Sequence, residues 1–261
     1  MRKKEYVNIP IEDLSNYIVV SDFDRTITSG ISLNSWCVLD DNEDVCQEYK
    51  DEMEALQNHY SKIEIDPDIP DEIKHKEMQD WWNKHLDLFI KYGFTEDLFH
   101  KTSSDKSVME LRKGFKRFLN FLKEKGIPLV IISAGLTNVI KAFLIEHDID
   151  LENIYIISNE IYFKNGVAKG IAHEIIHSMN KSEVSLPKEL TEKFKNRNNV
   201  ILFGDNLKDI HMVDKENHDK VLRIGFVNEA NKKYTEEFYE IYDIILYEDE
   251  DFDTVLQNIL W

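Results

Sequence analysis

The first regular feature along the chain is a short apolar run, Tyr17-Ile18-Val19-Val20, which ends in Ser21-Asp22. An unbroken β-branched stretch of this length predicts a strand buried on both faces, as in parallel sheets. Runs of the same kind recur at Pro128 to Ile132, Ile154 to Ile157, Val200 to Phe203, Val221 to Gly225 and Ile244 to Tyr247. Helical patterns separate most of them: Leu111 to Lys125 (closed by Gly126), Thr137 to His147, Leu207 to Lys215, Lys232 to Tyr239 and Phe252 to Leu260. Strands alternating with helices predict an α/β fold with a doubly wound parallel sheet.

Two stretches depart from that rhythm. From Asn34 to Ser103 the chain is charged, aromatic and rich in helix formers, with turn signals at Asp66-Pro67 and Ile69-Pro70 and no strong strand pattern. The expected organisation is a core built from residues 1–33 and 104–261, interrupted by a helical insertion over 34–103. The second departure is Phe163-Lys164-Asn165-Gly166-Val167, where Asn-Gly between strand-like runs predicts a tight hairpin.

Composition narrows the class. A chain of 261 residues, 42% hydrophobic, can bury one sizeable core with a smaller appended unit. The N-terminal Met1-Arg2-Lys3-Lys4-Glu5 is basic, but no signal-like apolar stretch follows and nowhere do 18 apolar residues stand together. Cys37 and Cys46 are too few for a disulfide framework and lack zinc-site spacing, which fits a reducing cytoplasm. A net charge of −18 argues against nucleic acid or an anionic membrane as partner. If such a protein handles phosphate, it needs a local positive potential, supplied economically by a divalent cation and one placed lysine.

The candidate chemistry lies at strand ends. Asp22-Phe23-Asp24-Arg25-Thr26 puts two carboxylates two residues apart where open α/β sheets bind ligands. The motif admits two readings, a polar strand-to-loop turn or a phosphoryl-transfer pair. In the second, Asp22 attacks phosphorus while Asp24 protonates the leaving oxygen and later deprotonates water. Ser133-Ala134-Gly135 ends another apolar run, with a hydroxyl and backbone N–H groups suited to phosphate oxygens. Gly204-Asp205-Asn206-Leu207-Lys208-Asp209 follows a third and adds two carboxylates. Asp22 and Asp205 could supply the oxygen ligands magnesium prefers, and Lys181 is the candidate cation for phosphate.

His173-Glu174-Ile175-Ile176-His177 also matches H-E-x-x-H, the zinc-peptidase pattern. That chemistry requires a helix, whereas this segment follows the hairpin signal and reads as extended chain leading to Lys181.

The order strand–Asp-x-Asp-x-Thr, strand–Ser, Lys, strand–Gly-Asp-x-x-x-Asp resembles the haloacid-dehalogenase-like phosphatases. Ser133-Ala134-Gly135, Ile176-His177-Ser178-Met179-Asn180-Lys181, Ile224-Gly225-Phe226-Val227-Asn228, Tyr242-Asp243-Ile244-Ile245-Leu246 and Ile63-Glu64-Ile65-Asp66-Pro67 resemble the cytosolic pyrimidine 5′-nucleotidase family, the type III enzymes. The resemblance implies a magnesium-dependent hydrolase of nucleoside 5′-monophosphates, 7-methylguanosine monophosphate in one branch, with a helical cap inserted after the first motif. It implies Asp22 as nucleophile and Asp24 as acid/base, with magnesium held by Asp22, the Asp24 carbonyl and Asp205. Asp209 would stand behind that set, and Ser133, Ala134 and Lys181 would hold phosphate. Glu64 matches a cap glutamate used on the nucleotide, and Trp81-Trp82-Asn83-Lys84-His85 an aromatic cap helix with His85 in contact with substrate.

The chain departs from the family in Ser29-Gly30-Ile31-Ser32-Leu33, small and aliphatic, which leaves Trp36 the only ring nearby. Thr137-Asn138 stands where the family usually has Gly-Asp, and Lys208 replaces a glycine. Phosphoserine or another small phosphorylated metabolite is the alternative substrate. A binding protein on a retired phosphatase fold would be expected to lack one of the motif residues, and none is missing.

Overall fold

The computed structural model describes residues 11–40, 42–66, 68–103, 108–181, 187–247 and 250–258. The basic N-terminal run, Pro67, Glu248, Asp249 and the last helical residues to Leu260 lie outside the described residues.

The strands are β1 (Tyr17–Ser21), β2 (Leu129–Leu136), β3 (Ile154–Asn159), β4 (Ile161–Lys164), β5 (Val167–Ile171), β6 (Asn199–Gly204), β7 (Lys220–Val227) and β8 (Ile244–Tyr247). Six form one parallel sheet in the order β3-β2-β1-β6-β7-β8, and β4 and β5 pair separately as a hairpin. Val19 in β1 faces Leu129 on one side and Ile201 on the other. Side chains alternate between two apolar layers: Val19, Ile131 and Phe203 join one, Val20, Val130 and Leu202 the other. Both faces are covered, so these strands read as unbroken apolar runs.

The helices are α1 (Gln47–Ile65), α2 (Asp71–Lys91), α3 (Glu96–Ser103), α4 (Phe115–Glu124), α5 (Thr137–Glu146), α6 (Lys188–Phe194), α7 (Thr235–Ile241) and α8 (Phe252–Asn258). Phe115 and Phe118 of α4, Phe143 of α5 and Phe252 of α8 cover the first face, while Phe194 of α6 and Phe238 of α7 cover the second. Helices α1 and α2 pack on each other, and α3 rests on α5. The buried rings Tyr49, Phe89 and Phe99 of these helices, with Phe94 between α2 and α3, belong to the same apolar cluster as the first face of the sheet. The helical block and the sheet therefore share one continuous core on that side.

The Asn-Gly hairpin forms as expected: Asn165 and Gly166 have φ of 53° and 75°, the left-handed pair of a two-residue turn. It docks beside the helical block, with Ala168 N–H donating to the Phe94 carbonyl at 2.8 Å and Glu96 N–H to that of Gly166 at 3.1 Å. Among the described residues no helix is long and apolar enough to cross a membrane.

Three expected helices differ. The one expected from Leu111 starts at Phe115, because Leu111 bridges Thr28 and Arg112 is drawn into the core. That expected over Leu207 to Lys215 is reduced to 3₁₀ turns at Asp209–Met212 and Lys215–Asn217. There the Asp209 carboxylate accepts from the backbone N–H groups of Asp205 and Asn206, a local bond that competes with helix formation. The third begins with a 3₁₀ turn, Lys232–Tyr234, before α7.

Candidate active site

The chain passes from β1 to β2 on one side and returns through β6 on the other, so the crevice at the carboxyl ends of β1 and β6 is the switch point of the sheet. Asp22 stands there, its N–H donating to the Phe203 carbonyl at 3.0 Å. Lys181 Nζ donates to Asp22 Oδ1 at 2.5 Å and to Asp209 Oδ1 at 3.0 Å, all three side chains being buried. Carboxylate oxygens of Asp22, Asp205 and Asp209 lie within 4.8 Å of one another. Asp209 is fully engaged, since its Oδ2 takes the N–H groups of Asp205 and Asn206 at 3.0 and 2.9 Å. Asp22 Oδ2 has no hydrogen-bond partner among the described residues.

Burial raises Asp22 well above the usual carboxylate range, Lys181 opposing this and Asp209, Asp205 and Asp24 adding to it. Burial and then Asp209 raise Asp205 to about 7. Burial on its own would lower Lys181, but Asp209 and Asp22 outweigh it and hold the ammonium protonated. Clustered, desolvated carboxylates with hard oxygen donors are the environment that a divalent cation relieves, so these residues fit one.

Asp24 is held by the segment leading into the helical block. Ser35 N–H donates to Asp24 Oδ1 at 2.8 Å and Ser35 Oγ to Oδ2 at 2.9 Å. Burial raises Asp24 to about 6 against the pull of those two bonds. Ser35 Oγ also accepts from the Leu136 N–H at 3.2 Å. A side chain at Gly135 would have its Cβ 2.1 Å from that oxygen, so only glycine fits. Gly135 N–H donates to Ser133 Oγ at 2.9 Å, which leaves the Ser133 hydroxyl proton for a ligand oxygen.

Arg25 has φ 58°, uncommon for a side chain with a Cβ. The loop is braced by Arg112, which donates to the Thr26 carbonyl at 2.7 Å, to the Arg25 carbonyl, and to Asn228 Oδ1 at 3.0 Å. Asn228 Nδ2 in turn reaches Asp205 Oδ2 at 3.3 Å.

The ends of these strands open onto a cavity of about 240 Å³. Asp22, Asp24, Ser133, Ala134, Lys181 and Asp205 line its floor. Glu64 and His85 line the side formed by α1 and α2, with Trp36, Trp81 and Trp82. Glu64 Oε1 accepts from Ser178 Oγ at 2.7 Å. His85 is buried 4.6 Å from the Trp36 ring and 3.3 Å from Tyr49 Oη, and burial lowers it to about 3. The structure thus gathers every expected site residue except Asp209 on one cavity, and Asp209 lies behind Lys181. Sequence reasoning missed Ser35, Arg112 and Asn159; only Asn228 carried a signal, at the end of a matched segment.

The H-E-x-x-H segment is not helical. Asn159 exchanges two bonds with Ile176, Nδ2 to the carbonyl at 2.7 Å and N–H to Oδ1 at 2.8 Å, while Asn180 Oδ1 takes the His177 N–H at 2.7 Å. His173 is exposed and His177 fully buried, so the two imidazoles cannot share a zinc ion, and the peptidase reading is withdrawn.

This sheet order, with an aspartate at the end of its central strand, is the haloacid-dehalogenase-like α/β fold of phosphatases. The chain matches a "had family hydrolase" from Salmonella enterica subsp. enterica serovar Typhi with a TM-score of 0.64 at 17% identity, over 94% of this chain and 71% of that one. The description "Pyrimidine 5′-nucleotidase (UMPH-1)" fits residues 23–260, and the chain belongs to that family of phosphatases. It is 32% identical over 254 residues to the human 7-methylguanosine phosphate-specific 5′-nucleotidase, spanning 93% of this chain and 84% of that protein. It also matches a crystal structure of cytosolic 5′-nucleotidase IIIB bound to cytidine with a TM-score of 0.83 at 27% identity, over 93% and 84% of the two chains.

Proposed function

We propose that this protein is a magnesium-dependent 5′-nucleotidase that hydrolyses nucleoside 5′-monophosphates in the cytoplasm through a phosphorylated Asp22. The observation that carries the reading is the pairing of floor and roof: Asp22 with Lys181 2.5 Å away and carboxylates for a cation, beneath a wall of indole rings.

Asp22 attacks phosphorus, and the bond to the nucleoside O5′ breaks while Asp24 delivers a proton to that oxygen. Ser133 Oγ–H, the Ala134 main chain and the Lys181 ammonium hold the phosphoryl oxygens as charge shifts. Asp24 then takes a proton from a water molecule that attacks phosphorus, releasing phosphate and restoring Asp22. Asp22, the Asp24 carbonyl and Asp205 would hold magnesium, which would supply neutralising charge to the phosphoryl oxygens. Asp209, with both oxygens engaged, orients Lys181 and the Asp205 loop.

Residues 34–103 serve as the cap over this floor. Trp36 and Trp81 offer faces to a base, and Glu64, fixed through Ser178, offers a carboxylate oxygen to base N–H groups. An N7-methylated guanine is positively charged, and indole faces with a carboxylate favour such a ring. Phosphoserine would leave these rings without contact.

The test is a phosphatase panel with magnesium, comparing 7-methylguanosine, cytidine and uridine monophosphates with phosphoserine and p-nitrophenyl phosphate, coupled to acid-quench mass spectrometry of the Asp22 peptide. Nucleotide preference and a trapped phosphoryl adduct are expected. Preference for phosphoserine would remove the nucleotide assignment, and turnover without an adduct on Asp22 would remove the covalent route.

A further inference from the structure

Three donors converge on one backbone oxygen beside the phosphate-binding serine. Trp36 Nε1 donates to the Ala134 carbonyl at 2.8 Å, Trp82 Nε1 at 3.0 Å and Asn159 Nδ2 at 2.8 Å. Asn159 lies at the end of β3 and belongs to the sheet side. Trp36 lies on the segment entering the helical block, and Trp82 lies on α2 itself. The other end of the same peptide is also fixed, because Gly135 N–H donates to Ser133 Oγ at 2.9 Å. The plane of the Ala134–Gly135 peptide therefore has its carbonyl held toward α2 and its N–H held toward the serine hydroxyl. Turning that plane would lose up to three hydrogen bonds at the carbonyl and release Ser133 Oγ at once.

Trp81, the neighbouring indole, makes the contrast: its Nε1 is buried with no hydrogen-bond partner among the described residues. Trp82 is the ring of the pair that is tied to the catalytic floor.

We propose that Trp82 is a positioning residue that couples the cap to the phosphate cradle: when α2 is seated, its indole N–H holds the Ala134 carbonyl and thereby sets Ser133 and the adjoining main chain for phosphate. This rests on the phosphatase reading of the floor and is independent of which nucleoside leaves. The cradle is complete only with the cap in place, so phosphate affinity reports cap seating even for a ligand that has no base.

The experiment uses the full chain with magnesium and two base-free probes, p-nitrophenyl phosphate as substrate and inorganic phosphate as competing product. Trp82→Phe keeps a ring and removes the N–H. Losing one neutral hydrogen bond of several should raise KM for the ester and Ki for phosphate roughly two- to tenfold, with kcat changed less. Trp36→Phe removes the second indole donor and should show the same signature; it also supplies the reading if Trp82→Phe does not fold. The double variant should lose more than the sum of the single losses, because each donor alone still restrains the same peptide. Unchanged Ki and KM for the base-free probes, with the loss confined to nucleoside monophosphates, would make Trp82 a base-reading residue and overturn the proposal. A fall in kcat at constant KM and Ki would overturn it as well. Absence of wild-type turnover on every ester would instead remove the phosphatase reading of the floor.

Discussion

On the floor of the cavity, Asp22, Lys181, Asp205 and Asp209 are tied together by charge-assisted bonds, and Asp209 spends both oxygens on its neighbours. On the roof, indole and imidazole rings meet at 4.6 to 6.3 Å, and the Trp81 N–H finds no hydrogen-bond partner among the described residues. The two walls illustrate different physical demands. Stabilising charge at a reacting phosphorus requires groups already oriented before the reaction, whereas a leaving group can be bound by apolar faces and a few polar contacts. Changes on the floor should therefore act on every substrate, and changes on the roof only on those that reach it, apart from the Trp36 and Trp82 indole N–H groups, which hold the Ala134 carbonyl of the floor.

The largest test of that division is Asp22→Asn. The amide is no nucleophile, so kcat should fall by at least about a thousandfold on both nucleotide and p-nitrophenyl phosphate while the thermal midpoint holds. A loss within tenfold would remove Asp22 from the chemistry. Chelation with EDTA should likewise abolish turnover, with magnesium restoring it; tightly held zinc in the purified protein would contradict the all-oxygen site.

Asp209→Asn comes next, because it keeps the shape while weakening the hold on Lys181 and the Asp205 loop. A ten- to hundredfold lower kcat/KM is expected on both substrates, the usual range for a group standing behind metal ligands. Selective loss on one substrate would break the floor-and-roof distinction. Glu64→Ala should do the opposite: kcat/KM for a nucleoside monophosphate falls about ten- to a hundredfold, as for a lost charged hydrogen bond of roughly 1.5–3 kcal/mol, while the base-free ester hardly changes. Equal loss on both would make Glu64 a support of the cap.

A smaller effect is in stability. Burial lowers His85 to about 3 in the fold against 6.5 for a free imidazole, so folding favours its neutral form. No penalty exists above pH about 6.5, and stability is progressively lost as pH falls from there toward 3. Relative to His85→Leu, the wild type should lose about 2 kcal/mol between pH 7 and pH 5 in urea titrations. A constant difference between the two proteins would show that the buried imidazole does not titrate. Smallest of all, His173→Ala should change kcat/KM less than twofold, since the side chain is exposed outside the cavity.

The six sheet strands and the order of their polar ends were legible because buried parallel strands must be continuously apolar and their polar ends stand out. Asp22, Asp24, Ser133 and Asp205 were found this way, and the order of the family's motifs added Lys181 and joined them. Ser35 gave no signal: its two bonds to Asp24 span 11 positions, and its neighbours name no motif. The helix expected from Leu207 and the H-E-x-x-H match failed for a related reason. In both places side chains, Asp209 in one and Asn159 with Asn180 in the other, capture backbone groups that a helix would have used.

The sequence by itself therefore determined the α/β class, the strand end that carries Asp22 and the residue types suited to phosphate and a cation, since these depend on local pattern and on chemistry carried by single residues. Only the tertiary structure decided that α2 reaches the Ala134 carbonyl through Trp82, that Ser35 holds Asp24, and that Arg112 braces the loop after Asp22 from 86 positions away. Those contacts pair groups distant along the chain, and a pattern with periods of two or four residues contains no term for which distant groups a shared core will bring within 3 Å.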